Sequence, residues 1–197
     1  MLVNLRESLL ALQERDLSIR ADLEADGSLF MGYHPRMEAV HRENARQLRT
    51  LIDQFGWPHA GIAGEDGAEA AWLIAQHAIA EPAFMRSCRE LLASEIASGR
   101  VLEWQYAYLD DRIKVFEGKP QRFGTQLEVT PTGPMVCEVE EPEFLNQRRE
   151  KAGLEPLERR LAAFATSPRP SVEDYQARKA QEAAWRIEVG WSTDSDI

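Results

Sequence analysis

The stretch Ala68–Ala80, AEAAWLIAQHAIA, is apolar on almost every side of a helical wheel. A helix of that kind has no face to give to water. Other helices must surround it, so the chain is predicted to be a helical bundle built around this segment. Gln76 and His77 are its two polar exceptions. A buried polar side chain without a partner costs about 1–3 kcal/mol, so both are expected to meet partners or to line a wet cavity.

The surrounding helices can be read from their spacing. Leu2, Leu5, Leu9, Leu12, Ile19 and Leu23 recur at helical intervals and predict an amphipathic helix, or a broken pair, over Leu2–Asp26. Asp16 and Arg20 stand four apart on it and read as an exposed pair, worth about 0.2–0.5 kcal/mol. Gly27-Ser28 breaks the pattern, and the following loop carries His34, which Pro35 holds out of helical geometry where it can face a pocket. Met37, Val40, Leu48, Leu51, Ile52 and Phe55 predict a second helix over Arg36–Phe55, with His41 and Asn44 on one side and Gly56-Trp57-Pro58 as its stop. Glu65 and Asp66 precede the apolar segment, where acidic groups favour a helix start.

Glu81-Pro82 opens a further helix, with Phe84, Cys88, Leu91, Leu92 and Ile96 as its buried stripe and Gly99 as its end. The next, Leu102–Glu117, places Asp111 between Tyr108 and Val115 on a half-apolar face. A carboxylate there is costly unless Arg112, a histidine or a ligand answers it. From Gly124 to Val139 the period shifts to alternation around Pro131-Thr132-Gly133-Pro134, which predicts one edge hairpin. Helical patterns return over Phe144–Gly153, with Asn146, Arg148 and Arg149, and over Leu154–Phe164. A Ser-Pro-Arg-Pro-Ser linker, a charged helix over Val172–Val189 and a polar tail over Trp191–Ile197 complete the chain. The predicted fold is mainly α: a single-domain helical bundle over residues 1–165 with one small β-hairpin near 124–139, and a linker with a C-terminal helix and tail over 166–197.

With 197 residues, 44% of them hydrophobic and 28% charged, the chain suits one sizeable core. A net charge of -10 repels phosphate backbones, which argues against nucleic acid and leaves a small polar molecule as the expected partner. Cys88 and Cys137 lie in no metal-ligand spacing and form no disulfide framework. The start, MLVNLRESLLALQERD, has no uninterrupted apolar run, so no signal peptide or membrane partner is expected, and the reading is cytoplasmic.

Several short motifs occur in order: Gly32-Tyr33-His34-Pro35, Gly56-Trp57-Pro58, Ala71-Trp72-Leu73-Ile74 with Gln76-His77-Ala78, Asp111-Arg112, Pro120-Gln121-Arg122-Phe123-Gly124-Thr125-Gln126, and Arg148-Arg149 with Gly153-Leu154. Together they resemble the uncharacterised bacterial family DUF6624, a domain of unknown function, over Asp16–Leu157. The resemblance implies no activity. Phe123 stands where the family usually has tyrosine, which removes a phenol and favours a stacking role.

Three arrangements of these residues can carry a function. In the first, His77 is general base or acid, Asp111 orients it, and Arg112 clamps an anion. Gln121, Gln126, Gln76, Thr125, Trp57, His34 and His41 then hold the ligand. That is a small-molecule enzyme, a hydrolase, lyase or isomerase, working without a cofactor. The alternative is a non-catalytic ligand- or protein-binding module, in which the Arg/Gln/Thr turn makes the contact and His77 is a structural hub. A third is a metalloprotein using His34, His41 and His77 with Glu65 or Asp111, but no HExxH or paired-His spacing supports it, and no metal ligand is assigned. No nucleophile elbow or phosphate loop is present.

Overall fold

The first three helices each begin where a side chain caps them. In the computed structural model, which describes residues 4–30 and 32–192, Asn4 accepts a hydrogen bond from the Glu7 amide at 3.3 Å and starts α1, Leu5–Ala25. Of the two readings offered by the spacing, one helix or a broken pair, α1 is one helix, and Leu2 lies outside the described residues. His34 Nδ1 accepts from the Arg36 amide at 3.1 Å and starts α2, Pro35–Phe55, with Pro35 in the first turn. His59 does the same for α3, Ala60–His77, through the Gly61 amide at 3.1 Å. Pro82 opens α4, Pro82–Ala97.

The chain gathers into two compact units that meet in sequence at Val101 and Leu102. In the first unit α1 packs on α2 and α3, and α3 on α2 and α4. The core is Leu9, Leu12, Leu23, Leu48, Ile74, Met85, Cys88 and Leu92, with Ala70, Ala71 and Ala75 letting neighbouring backbones approach α3. That is the buried segment expected, although α3 begins earlier and ends at His77, about a turn before Ala80. Gly64, at φ 72°, breaks the helical path inside it.

The second unit runs from α5, Glu103–Phe116, into a two-stranded antiparallel hairpin, β1 Leu127–Thr130 and β2 Gly133–Val136, with Leu127 opposite Val136 and Thr130 opposite Gly133. Short helices α6, Leu145–Lys151, and α7, Leu157–Ala163, follow, then α8, Val172–Val189. Eight helices and one hairpin among the described residues make the protein mainly α. Trp191 is not part of a polar tail: it is buried, with its ring 5.2 Å from that of Phe116. Among the described residues, no helix is long and apolar enough to cross a membrane.

The connection between α5 and β1 is held by polar groups turned inward. Asp111 is fully buried, and its carboxylate accepts from the backbone amides of Arg122 at 2.7 Å, Phe123 at 3.0 Å and Thr125 at 2.9 Å. Gln121, also fully buried, donates to the carbonyls of Gln126 at 2.9 Å and Cys137 at 3.0 Å and accepts from the Gln126 amide at 2.9 Å. Arg149 donates to the carbonyls of Phe123 at 2.7 Å, Gly124 at 3.1 Å and Glu155 at 2.7 Å. Phe123 itself packs with Ala107 and Ala152, so its ring fills a core.

Replacing Asp111 with Ala leaves three amides without their acceptor. At about 1 kcal/mol or more for each buried donor, the expected loss of stability is about 3 kcal/mol or more, read as a lower urea midpoint. A variant as stable as the parent contradicts this account of the loop.

Candidate functional site

On α1 the buried positions are Leu5, Leu9, Leu12, Asp16 and Leu23. Asp16 therefore belongs to the leucine stripe and not to the wet face, while Arg20 is exposed and plays no part. A carboxylate with 0% exposure inside a helical core is tolerable only if donors converge on it. Two do: His41 from the middle of α2 and His77 from the last position of α3.

His77 Nδ1–H reaches both carboxylate oxygens of Asp16, at 2.9 and 3.0 Å. His41 Nε2 lies 3.3 Å from Asp16 Oδ2, within ion-pair distance. The direction is poor, however, and that nitrogen is buried without a formed hydrogen bond. We take the pair as a close contact and not as an aligned hydrogen bond. The other nitrogen of His41, Nδ1, shares a hydrogen bond of 2.8 Å with the Tyr33 phenol, and the two rings stack at 5.7 Å. The His41 and His77 rings are 5.1 Å apart. Asn44, three residues beyond His41, donates to the Leu12 carbonyl at 3.0 Å and ties α2 to α1 beside Asp16; its Oδ1 is buried and without a hydrogen-bond partner.

The electrostatics follow from the packing. Burial alone would raise the Asp16 carboxyl, but the two imidazoles outweigh it and hold Asp16 well below the usual carboxylate range. The centre of the cluster is thus an anion. Burial pushes the Tyr33 phenol far above its ordinary value, so it stays protonated beside His41. Asp16 is sealed, His41 nearly so, and the His77 side chain is 21% exposed, which makes His77 the member of the cluster within reach of solvent.

The residues expected to form a site are distributed differently from the sequence reading. His77 and His41 come together, but the carboxylate on His77 is Asp16, not Asp111, whose oxygens serve the loop amides of the second unit. Burial pushes the Asp111 carboxyl upward against the pull of those amides. His34 is a helix cap, and Glu65 is exposed, so neither joins His41 and His77 as a ligand. Trp57 is 3% exposed, in the core, and Gln76 is buried on α3 next to His77. Gln121 and Thr125 are interior to the loop. Gln126 Oε1 accepts from Arg112 Nε at 3.3 Å, and its amide nitrogen donates to Thr125 Oγ1 at 3.0 Å. Burial lowers the Arg112 guanidinium to about 10, still charged at neutral pH.

The residue that sequence reasoning missed is Asp16. Its signal was present in the spacing: it lies four residues after Leu12 and seven before Leu23, in register with the leucines. Reading it as the partner of Arg20 hid that register.

The chain belongs to a family of unknown function, DUF6624, whose model matches residues 3–166. The match contains Asp16, Tyr33, His41 and His77. No curated protein and no solved structure matches the chain.

Four histidines allow a direct check of the cluster. In Asp16→Asn, the imidazole nitrogen resonances of His41 and His77 are expected to move while those of His34 and His59 stay in place. Asp16→Ala, which strips the acceptor from two largely buried rings, should cost about 3–5 kcal/mol. His34→Ala, which removes only a cap, should cost about 1 kcal/mol. Equal losses in the two alanine variants would contradict the assignment.

Proposed function

We propose that this DUF6624 member is a small-molecule enzyme whose acid–base centre is the Asp16–His41–His77 cluster. The observation that carries the reading is a fully buried carboxylate facing two imidazoles, of which one, His77, is partly open to solvent. An anion sealed among three helices is a costly feature, and orienting an imidazole for proton transfer is a use that matches it.

Asp16 fixes the His77 ring through Nδ1, so proton exchange with a substrate runs through Nε2. The adjacent carboxylate favours the imidazolium that forms when His77 takes a proton. His41, held by Tyr33, backs Asp16 from the other side. This machinery suits hydrolysis, elimination or isomerisation of a small polar molecule. Gln121 and Thr125, expected to grip a ligand, are absorbed by the loop of the second unit. The net charge of -10 and the free cysteines Cys88 and Cys137 accord with a small-molecule partner and a cytoplasmic setting.

The test is a panel of small hydrolase, lyase and isomerase substrates offered to the purified full chain, followed by variants on any turnover found. His77→Gln is expected to lower kcat by about 10²–10⁴-fold with the helical circular dichroism unchanged. Asp16→Asn is expected to lower kcat and to shift the alkaline and acid limbs of its pH profile. Turnover that survives His77→Gln intact refutes the proposal.

A further inference from the structure

We propose that Asp16, His41 and His77 together bind one divalent first-row transition-metal ion. One carboxylate and two imidazoles form a donor set suited to zinc or ferrous iron. One ligand atom from each lies within 4.8 Å of the other two. Metal bonds of about 2.0–2.1 Å place neighbouring ligand atoms about 2.9 Å apart at octahedral angles and about 3.3 Å apart at tetrahedral ones. Two of the three separations match these values, 2.9 Å for His77 Nδ1 and 3.3 Å for His41 Nε2, each measured to Asp16 Oδ2, and the two imidazole nitrogens lie within 4.8 Å of each other.

The orientation of His41 separates this arrangement from an ordinary hydrogen-bonded network. Its side chain is 8% exposed, its Nε2 is turned towards Asp16, and yet that atom forms no hydrogen bond. A donor built to serve the carboxylate would point its N–H at an oxygen. A ligand points its lone pair at the space between the two groups. His77 Nδ1 likewise sits almost equally far from both Asp16 oxygens instead of choosing one. Tyr33 completes the pattern: with Nε2 as ligand, His41 carries its proton on Nδ1 and donates it to the phenol oxygen, an outer-shell contact that fixes the tautomer and the ring.

Each ligand comes from a different helix, so the three are held by the packing of α1, α2 and α3. Three protein ligands leave coordination positions for water, and a bound water is acidified towards neutrality. The consequence for chemistry rests on the enzyme reading above. With metal present, the proton is handled by that water, and His77 serves as a ligand and not as the base. Metal binding itself does not depend on the enzyme reading.

The experiment uses the full chain, stripped with a chelator and titrated with Zn(II) against a chromophoric competitor and with Co(II) by visible absorption. One equivalent per chain is expected, with cobalt bands of a site containing nitrogen and oxygen ligands. His41→Gln and His77→Gln are expected to abolish the stoichiometric site, and Tyr33→Phe to weaken it about 10–100-fold. His34→Gln and His59→Gln, which alter only helix caps, should bind as the parent does. Should either ligand variant fail to fold, Tyr33→Phe and the two cap variants still decide the matter. No stoichiometric binding, or equal affinity in parent and Tyr33→Phe together with His77→Gln, overturns the proposal. No stoichiometric binding together with turnover that depends on His77 overturns the metal and leaves the acid–base reading standing. One bound equivalent with no turnover across the panel supports the metal and counts against the enzyme.

Discussion

The first unit depends on one charge. Asp16 is a carboxylate with no access to water, and three helices supply what keeps it there: α1 carries it, α2 brings His41, and α3 ends on His77. Burial and charge pull in opposite directions at this point, and the imidazoles decide the outcome in favour of the anion. Apolar packing would let neighbouring helices slide by small steps at little cost. A carboxylate with two ring nitrogens around it accepts only one arrangement, so the cluster fixes the register of α1, α2 and α3 as well as the chemistry they share.

The second unit uses the same kind of device for a different purpose. Asp111 is as buried as Asp16, but it is surrounded by backbone amides instead of imidazoles. Backbone amides do not titrate, and carbonyls of the connection they belong to are taken by Gln121, Arg148 and Arg149. The run of Asp, Gln, Arg and Thr that reads as a ligand grip is therefore largely the internal skeleton of a loop with little secondary structure of its own. The two carboxylates show how far the neighbours of a buried charge determine its use: one holds a peptide chain in shape, the other faces groups that can exchange protons.

What the sequence made legible was local. The helices α2, α4, α5 and α8 and the hairpin follow from periodicity, Pro and Gly signals, and their observed bounds lie close to the predicted ones. The buried nature of α3 was equally plain, but its first turns were not, because Glu65 and Asp66 read as the signal for a helix starting at Ala68, whereas α3 begins at Ala60. The chain continues helically on both sides of Gly64, and at Gly67 an added Cβ would lie 3.1 Å from that of Ala63, a crowding that composition cannot reveal. His77 was recognisable as a polar side chain in a buried helix. Its partner was not, since Asp16 lies 61 residues away and pairing between helices is a tertiary fact. His34 illustrates another limit: a histidine before a helix start is as good a cap as a ligand, and it is a cap here.

The loop around Asp111 also limits how this protein can drift. Asp111, Gln121 and Arg149 each satisfy part of one short backbone segment, and loosening any of them frees atoms that the others hold. Their effects on stability are coupled, so a second change among them does less harm than it would alone. A lineage that loses one of the three is released from constraint at the other two, whereas one that keeps all three can replace few of them singly. Substitution at these positions is thus expected to come in groups, with the segment between α5 and β1 exchanged as a block.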